Sequence, residues 1–138
     1  MLKEVQVNKT EGKLYLLDEN YDVFGVLPIS TEFYQDTGDR GNAEDGIYRD
    51  TVWYDIDYPD DEDRSAAYGW AYLNIDDRGR AIHGGGSNLG WYGSQEPFQE
   101  LLPTLGCFRM ANVDVFWLVH HWQEAVKNNM DPCIHVVS

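Results

Sequence analysis

A chain of 138 residues, 43% hydrophobic and 14% aromatic, is long enough for one folded domain, residues 1–138, with a real core. Its 24 acidic against 10 basic residues give a net charge of −14, which argues against nucleic acid and anionic membrane surfaces as partners, because phosphate rewards clustered Lys and Arg. No apolar run is long enough to cross a membrane, so no membrane insertion is expected, and Lys3 and Glu4 break any secretory leader at the start.

In chain order, residues 4–7 and 14–18 read as short strands joined by a turn at 9–13. Residues 22–30 read as the next strand, ending near Pro28. Residues 37–45, rich in Gly, Asp and Asn, read as a loop. Apolar and polar residues then alternate over 46–56 through Ile47, Val52, Tyr54 and Ile56, which predicts a strand. The acidic run at 55–63 lacks the ligand spacing, central glycine and closing glutamate of a calcium loop, so it reads as a solvated connection. Alternation resumes over 68–75 through Trp70, Tyr72 and Asn74. A turn at 76–79 leads into a short strand at 80–83 that ends on His83.

One convincing helix follows. Asn112 suits the N-cap, Asp114 complements the positive helix end, and Val115, Leu118, Val119, Trp122 and Val126 recur at helical spacing. Asn128, Asn129 and Pro132 stop it, and a closing strand lies within 130–137. The elements predict a mainly β fold with one principal α-helix. Trp53, Trp70, Trp117 and Trp122 are expected in the core, and His120 and His121 as structural residues of the helix.

Two segments carry chemistry. His83 sits in Ala-Ile-His-Gly-Gly-Gly at 81–86, and Cys107 in Pro-Thr-Leu-Gly-Cys-Phe-Arg-Met-Ala-Asn at 103–112. A thiol needs a base nearby because the thiolate is the attacking species. Glycine beside it permits a tight turn and lets backbone N–H groups face a developing oxyanion. Thr104 is expected to fix that turn through a side-chain hydrogen bond. Cys107 and Cys133 could pair only by burying the thiol. A zinc site from Cys107, Cys133, His83 and His135 lacks ligand-spaced pairs, so neither metal nor cofactor is expected.

The pair of segments resembles the signature of the L,D-transpeptidase (YkuD-type) family, in which Ile-His-Gly is followed by Ser/Thr-His-Gly-Cys, an apolar residue and Arg. Collinear pieces extend the resemblance: the hairpin at 13–31, Asp45-Gly46-Ile47-Tyr48, the segment 65–75 read as a strand leading to Ile-His-Gly, and Asn112-Val113-Asp114-Val115 through Leu118. The resemblance implies a YkuD-like mixed β-sandwich. It also implies a cysteine-dependent transpeptidase acting on peptidoglycan stem peptides at the bacterial cell wall. Its nucleophile is Cys107, its base His83, and its oxyanion donors the N–H groups of Gly106 and Cys107. The acceptor is an amine, a D-amino acid or water, the last giving an L,D-carboxypeptidase. Arg109 is expected either to hold the substrate's terminal carboxylate or to brace the nucleophile loop. Gly84 keeps the cleft open beside His83, and Asn112 supports the nucleophile loop. With no leader visible, the routes to the wall are leaderless export, phage or effector delivery, or a trimmed start.

Two departures stand out. Leu105 replaces the histidine that usually precedes Gly-Cys. Twenty residues separate His83 from Thr104, more than is usual, which predicts a long flap over 89–102 whose Trp91, Tyr92 and Phe98 either contact substrate or pack the flap down. Papain-like and NlpC/P60-like peptidases run cysteine before histidine, the reverse of the order here. The reading from another class is a catalytically silent wall-binding or protein-binding module of the same fold. Sequence leaves the oligomeric state open.

Overall fold

The structure, a computed structural model, describes residues 1–32, 41–56 and 62–138. Part of the expected loop at 37–45 and the middle of the acidic run, 57–61, fall outside the described residues.

Two sheets form the frame. In the first, β1 (Leu2–Asn8) pairs antiparallel with β2 (Lys13–Asp18), which pairs antiparallel with β3 (Val23–Pro28). On its other side β1 runs parallel to the closing strand β9 (Cys133–Val137), and β4 (Gly46–Tyr48) pairs antiparallel with β9. The order is therefore β3-β2-β1-β9-β4. The second sheet has the order β5-β6-β7-β8, from Tyr54–Ile56, Ala71–Asn74, Ala81–His83 and Phe108–Arg109.

The principal helix α3 (Asn112–Lys127) contacts β1 of the first sheet and β5, β6 and β7 of the second. Its buried side chains include Val115, Leu118, Val119, Trp122 and Ala125, spaced so that one stripe serves both sheets. They join Leu2, Val5, Val7, Leu73, Ile82, Phe108 and Ile134 in one continuous core. In β1 the pleat turns Val5 and Val7 toward that core, and a register shift between Leu2 and Glu4 lets Leu2 join them there.

Sequence and structure differ in four places. The alternating run 46–56 is two strands in different sheets, because the chain turns at 49–53 and crosses between them. The segment read as a strand from Ser65 begins as a helix, α1 (Glu62–Tyr68), and β6 starts only at Ala71. Gly69 separates the two with φ +77. Asn112 is the first helical residue of α3 and Ala111 its cap; the Asn112 N–H is met by Gln99 Oε1 at 2.8 Å. Of the four tryptophans expected inside, only Trp122 is buried; Trp53 and Trp117 are 48% and 39% exposed.

Candidate active site

The site forms where two short parallel strands meet. Ile82 of β7 is opposite Phe108 of β8, and His83 is opposite Arg109. Ile82 and Phe108 point into the core, both fully buried. The pleat turns their neighbours the other way, so His83, Arg109 and Cys107 share the opposite face. They line a cleft of about 380 Å³ together with Tyr68, Arg78 and Thr104. Strand β8 is held on both sides: Met110 N–H donates to the His83 carbonyl at 2.9 Å, and Ser30 N–H donates to the Arg109 carbonyl at 2.8 Å.

His83 is 2% exposed. Its Nδ1 lies 2.8 Å from the Gly84 carbonyl oxygen. A carbonyl only accepts, so Nδ1 carries the proton and Nε2 keeps its lone pair. Burial lowers the imidazole pKa to about 3, helped by the Arg109 charge and opposed by the Gly84 hydrogen bond. The ring is clamped between aromatics: Tyr68 meets it edge-on at 4.9 Å and Tyr72 lies parallel at 6.2 Å. Tyr72 is also the register partner of His83 across β6 and β7. Burial thus favours the neutral form of the His83 imidazole at neutral pH.

Cys107 is half-buried, with Sγ 3.8 Å from the Gly79 carbonyl oxygen. Its turn is stapled by Thr104, whose Oγ1 donates to the Cys107 carbonyl at 2.7 Å and accepts from Gly106 N–H at 3.0 Å. The Gly106 N–H, expected as an oxyanion donor, is thus bonded to Thr104 in this structure. Gly106 has φ +124, and a Cβ there would lie 2.3 Å from the Gly41 carbonyl oxygen, so only glycine fits.

Arg109 is 7% exposed and ties three backbone segments together. Nη1 donates to the carbonyls of Leu102 and Pro103 at 2.8 and 3.1 Å, and Nη2 to that of Ala67 at 3.4 Å. Of its two expected roles, this is the bracing geometry. Asn112, fully buried, accepts from Gly85 N–H at 2.9 Å and donates to the Ser94 and Glu96 carbonyls at 2.7 Å each. It fastens the start of α3 to the glycines after His83 and to the end of the flap. Gly84 is buried against Asn112 and serves the histidine through its carbonyl, without lining the cleft.

The expected flap folds as a 3-10 turn at Ser87–Leu89 and a short helix α2 (Gly90–Ser94) that packs on α1. Trp91 and Tyr92 do not line the cleft, which the flap meets through Leu102, with Ser87 and Asn88 just ahead of it in the chain. Tyr92 and Phe98 are 85% and 77% exposed, so they pack little of the flap down. Cys107 and Cys133 are both free thiols. Cys133 sits in β9 with Sγ 3.7 Å from Glu4 Oε1, and the zinc quartet is not assembled. Among the described residues no group of three or more His, Cys, Asp or Glu is placed to hold a metal.

Several site residues escaped sequence reasoning. Tyr68, Tyr72, Arg78 and Gln99 have no motif; only register with His83 could have suggested Tyr72.

No protein-family model and no curated protein matches the chain. Solved structures do. An L,D-transpeptidase from Xylanimonas cellulosilytica aligns over 98% of this chain and 60% of its own, at TM-score 0.59 and 17% identity. L,D-transpeptidase 1 of Mycobacterium tuberculosis aligns over 98% and 60%, at TM-score 0.54 and 9% identity. The Ldtfm–avibactam carbamoyl enzyme aligns over 100% and 49%, at TM-score 0.56 and 11% identity. The chain thus has the fold of the L,D-transpeptidases and spans about half to three-fifths of the length of the structures it matches.

Proposed function

We propose that the cleft catalyses acyl transfer through Cys107, as a cysteine-dependent transpeptidase of peptidoglycan stem peptides. The observation that carries this reading is that a thiol just before β8 and a histidine at the end of its parallel partner β7, whose Nδ1 is held by the Gly84 carbonyl, line one cleft. The shared fold and the Ile-His-Gly and Gly-Cys-Phe-Arg sequences support it.

In this mechanism His83 Nε2 takes the Cys107 thiol proton as Sγ attacks the carbonyl of the amide between the diamino acid and the terminal D-amino acid. The S–C bond forms and the carbonyl oxygen becomes an oxyanion, held by the Cys107 backbone N–H. When the C–N bond breaks, the imidazolium returns its proton to the leaving amine, and a thioester remains. An incoming amine repeats the cycle in reverse: it attacks the thioester, loses a proton to His83, and releases the thiol with a new amide bond. Water in its place yields a carboxylate, the L,D-carboxypeptidase outcome, and a free D-amino acid gives exchange. Burial keeps the His83 imidazole neutral, so its Nε2 is available to take the thiol proton.

Such a substrate places the site of action at the cell wall. The described residues hold no helix long and apolar enough to cross a membrane. The test is mass spectrometry of muropeptides incubated with the protein and with Cys107→Ala. Loss of the terminal D-amino acid, exchange, or new dimers that vanish in the variant are expected. No change across stem peptides of several lengths would overturn the reading and favour the silent binding module.

A further inference from the structure

The cleft contains an arginine that neither the fold nor the acyl-transfer chemistry employs. Arg78 lies in the turn between β6 and β7, one residue before Gly79, whose carbonyl oxygen is the neighbour of Cys107 Sγ. It lines the same cleft as Cys107 and His83. Its backbone is fixed: the Arg78 N–H donates to Asp76 Oδ1 at 2.9 Å, and the Arg80 N–H to the same oxygen at 3.1 Å.

The other cleft arginines are occupied. Arg80 is buried against Asp76, Nε to Oδ2 at 2.7 Å, and donates Nη1 to the Asn42 carbonyl. Arg109 is buried and spends its Nη groups on carbonyls. Arg78 is exposed, and among the described residues its guanidinium has neither an ion pair nor a hydrogen bond. In a chain of net charge −14, an exposed guanidinium with no ion pair among the described residues stands out, although Asp77 is its chain neighbour and Asp76 accepts its backbone N–H. A guanidinium is a two-pronged donor that matches a carboxylate.

We propose that Arg78 is the specificity residue for the acyl donor, binding the free carboxylate of the residue that leaves. The assignment rests on the transpeptidase reading for the identity of the peptide. The anion preference itself rests only on Arg78 lining the cleft that Cys107 also lines. It moves the carboxylate-binding role expected of Arg109 to a residue with open donors.

Two measurements test it, and the first needs no catalysis. Cys107 is alkylated with iodoacetate, an anion, and with iodoacetamide, its neutral analogue; buried Cys133 is monitored separately by peptide mapping. The iodoacetate-to-iodoacetamide rate ratio is expected to fall roughly two- to fivefold in Arg78→Gln, the size of an exposed ion pair. Arg78→Lys should recover part of it, and Arg78→Glu should lower it further. A ratio that is the same in all four proteins would overturn the proposal.

The second measurement compares a stem tetrapeptide ending in a free carboxylate with its C-terminal carboxamide. The wild-type protein is expected to favour the acid, mainly through KM, and Arg78→Gln to lose that preference. Turnover of both peptides at equal kcat/KM by wild type would overturn the proposal while leaving the transpeptidase reading intact. An alkylation ratio that depends on Arg78, with neither peptide turned over, would keep the anion site and sink the wall-peptide reading.

Discussion

At the residue scale, burial of His83 makes a distinct contribution to the pH dependence of stability. Its folded pKa is near 3 and its unfolded value about 6.5. Below pH 6.5 the unfolded chain binds a proton that the native imidazole refuses, so the stabilising contribution is complete above pH 6.5 and is lost as pH falls toward 3. The expected slope is about 1.4 kcal/mol per pH unit within that window. Urea titrations of wild type and His83→Gln at pH 5.0, 5.5 and 6.0 isolate it, since carboxylates common to both proteins cancel. Parallel curves would mean that His83 titrates normally. The same depression removes the kinetic inflection that a free imidazole gives near pH 6.5, so kcat/KM should pass through that region without a histidine limb. The catalytic candidates were legible because each sits in a local triplet, Ile-His-Gly and Leu-Gly-Cys, whose glycines carry conformational information in themselves. Arg78 was not legible: a lone arginine in a polar turn signals nothing until its unpartnered state is seen in the cleft that the thiol also lines.

At the element scale, the site depends on joints more than on long secondary structure. β7 and β8 contribute three and two residues, too few to hold a geometry alone. Thr104 closes the Cys107 turn, Gln99 meets the first N–H of α3, and Asn112 ties α3 to both the post-histidine glycines and the flap. Asn112 was legible as an important polar residue at the helix start but was read as its cap, because Asn at such a boundary is the commonest cap and burial cannot be seen from sequence. The helix in place of the expected strand at 65–68 has a similar origin: Tyr68 and Trp70 alternate plausibly, and only the tight packing of Gly69 against Gly85 and Asn112 marks the break. Asn112→Ala would leave a buried N–H of Gly85, a buried carbonyl of Ser94 and a part-buried carbonyl of Glu96 without this partner, at about 2–4 kcal/mol. Asn112→Asp keeps the shape but turns a carboxylate toward two carbonyl oxygens, so it should be at least as damaging. Thermal unfolding of the two variants checks the order, and an Asp variant more stable than the Ala variant would show that those carbonyls find other donors.

At the scale of the whole molecule, the fold buries one helix stripe between two sheets while its surface stays strongly acidic. Hydrophobic alternation made most strands legible, because each local pattern carries its own period. Their distribution between two sheets was not, since β4 and β5 share one continuous pattern and are divided only by long-range pairing, β4 with β9 and β5 with β6. The ion pairs seen, such as Lys9–Asp45 and Arg49–Asp131, offset few of the 24 acidic residues. Like-charge repulsion then works against the compact state, and screening should relieve it. The Debye length shortens from about 30 Å at 0.01 M salt to about 10 Å at 0.1 M. The melting temperature should therefore rise with added NaCl across that range at pH 7, opposite to a fold held together by surface ion pairs. A melting temperature that falls would mean the few bridges outweigh the net charge. The same titration should shrink the iodoacetate preference attributed to Arg78, because that attraction is exposed to solvent and screened alike. Salt thus separates two electrostatic effects of opposite sign in one protein: repulsion across the surface, which weakens the fold, and the proposed attraction of anions to Arg78 at the cleft.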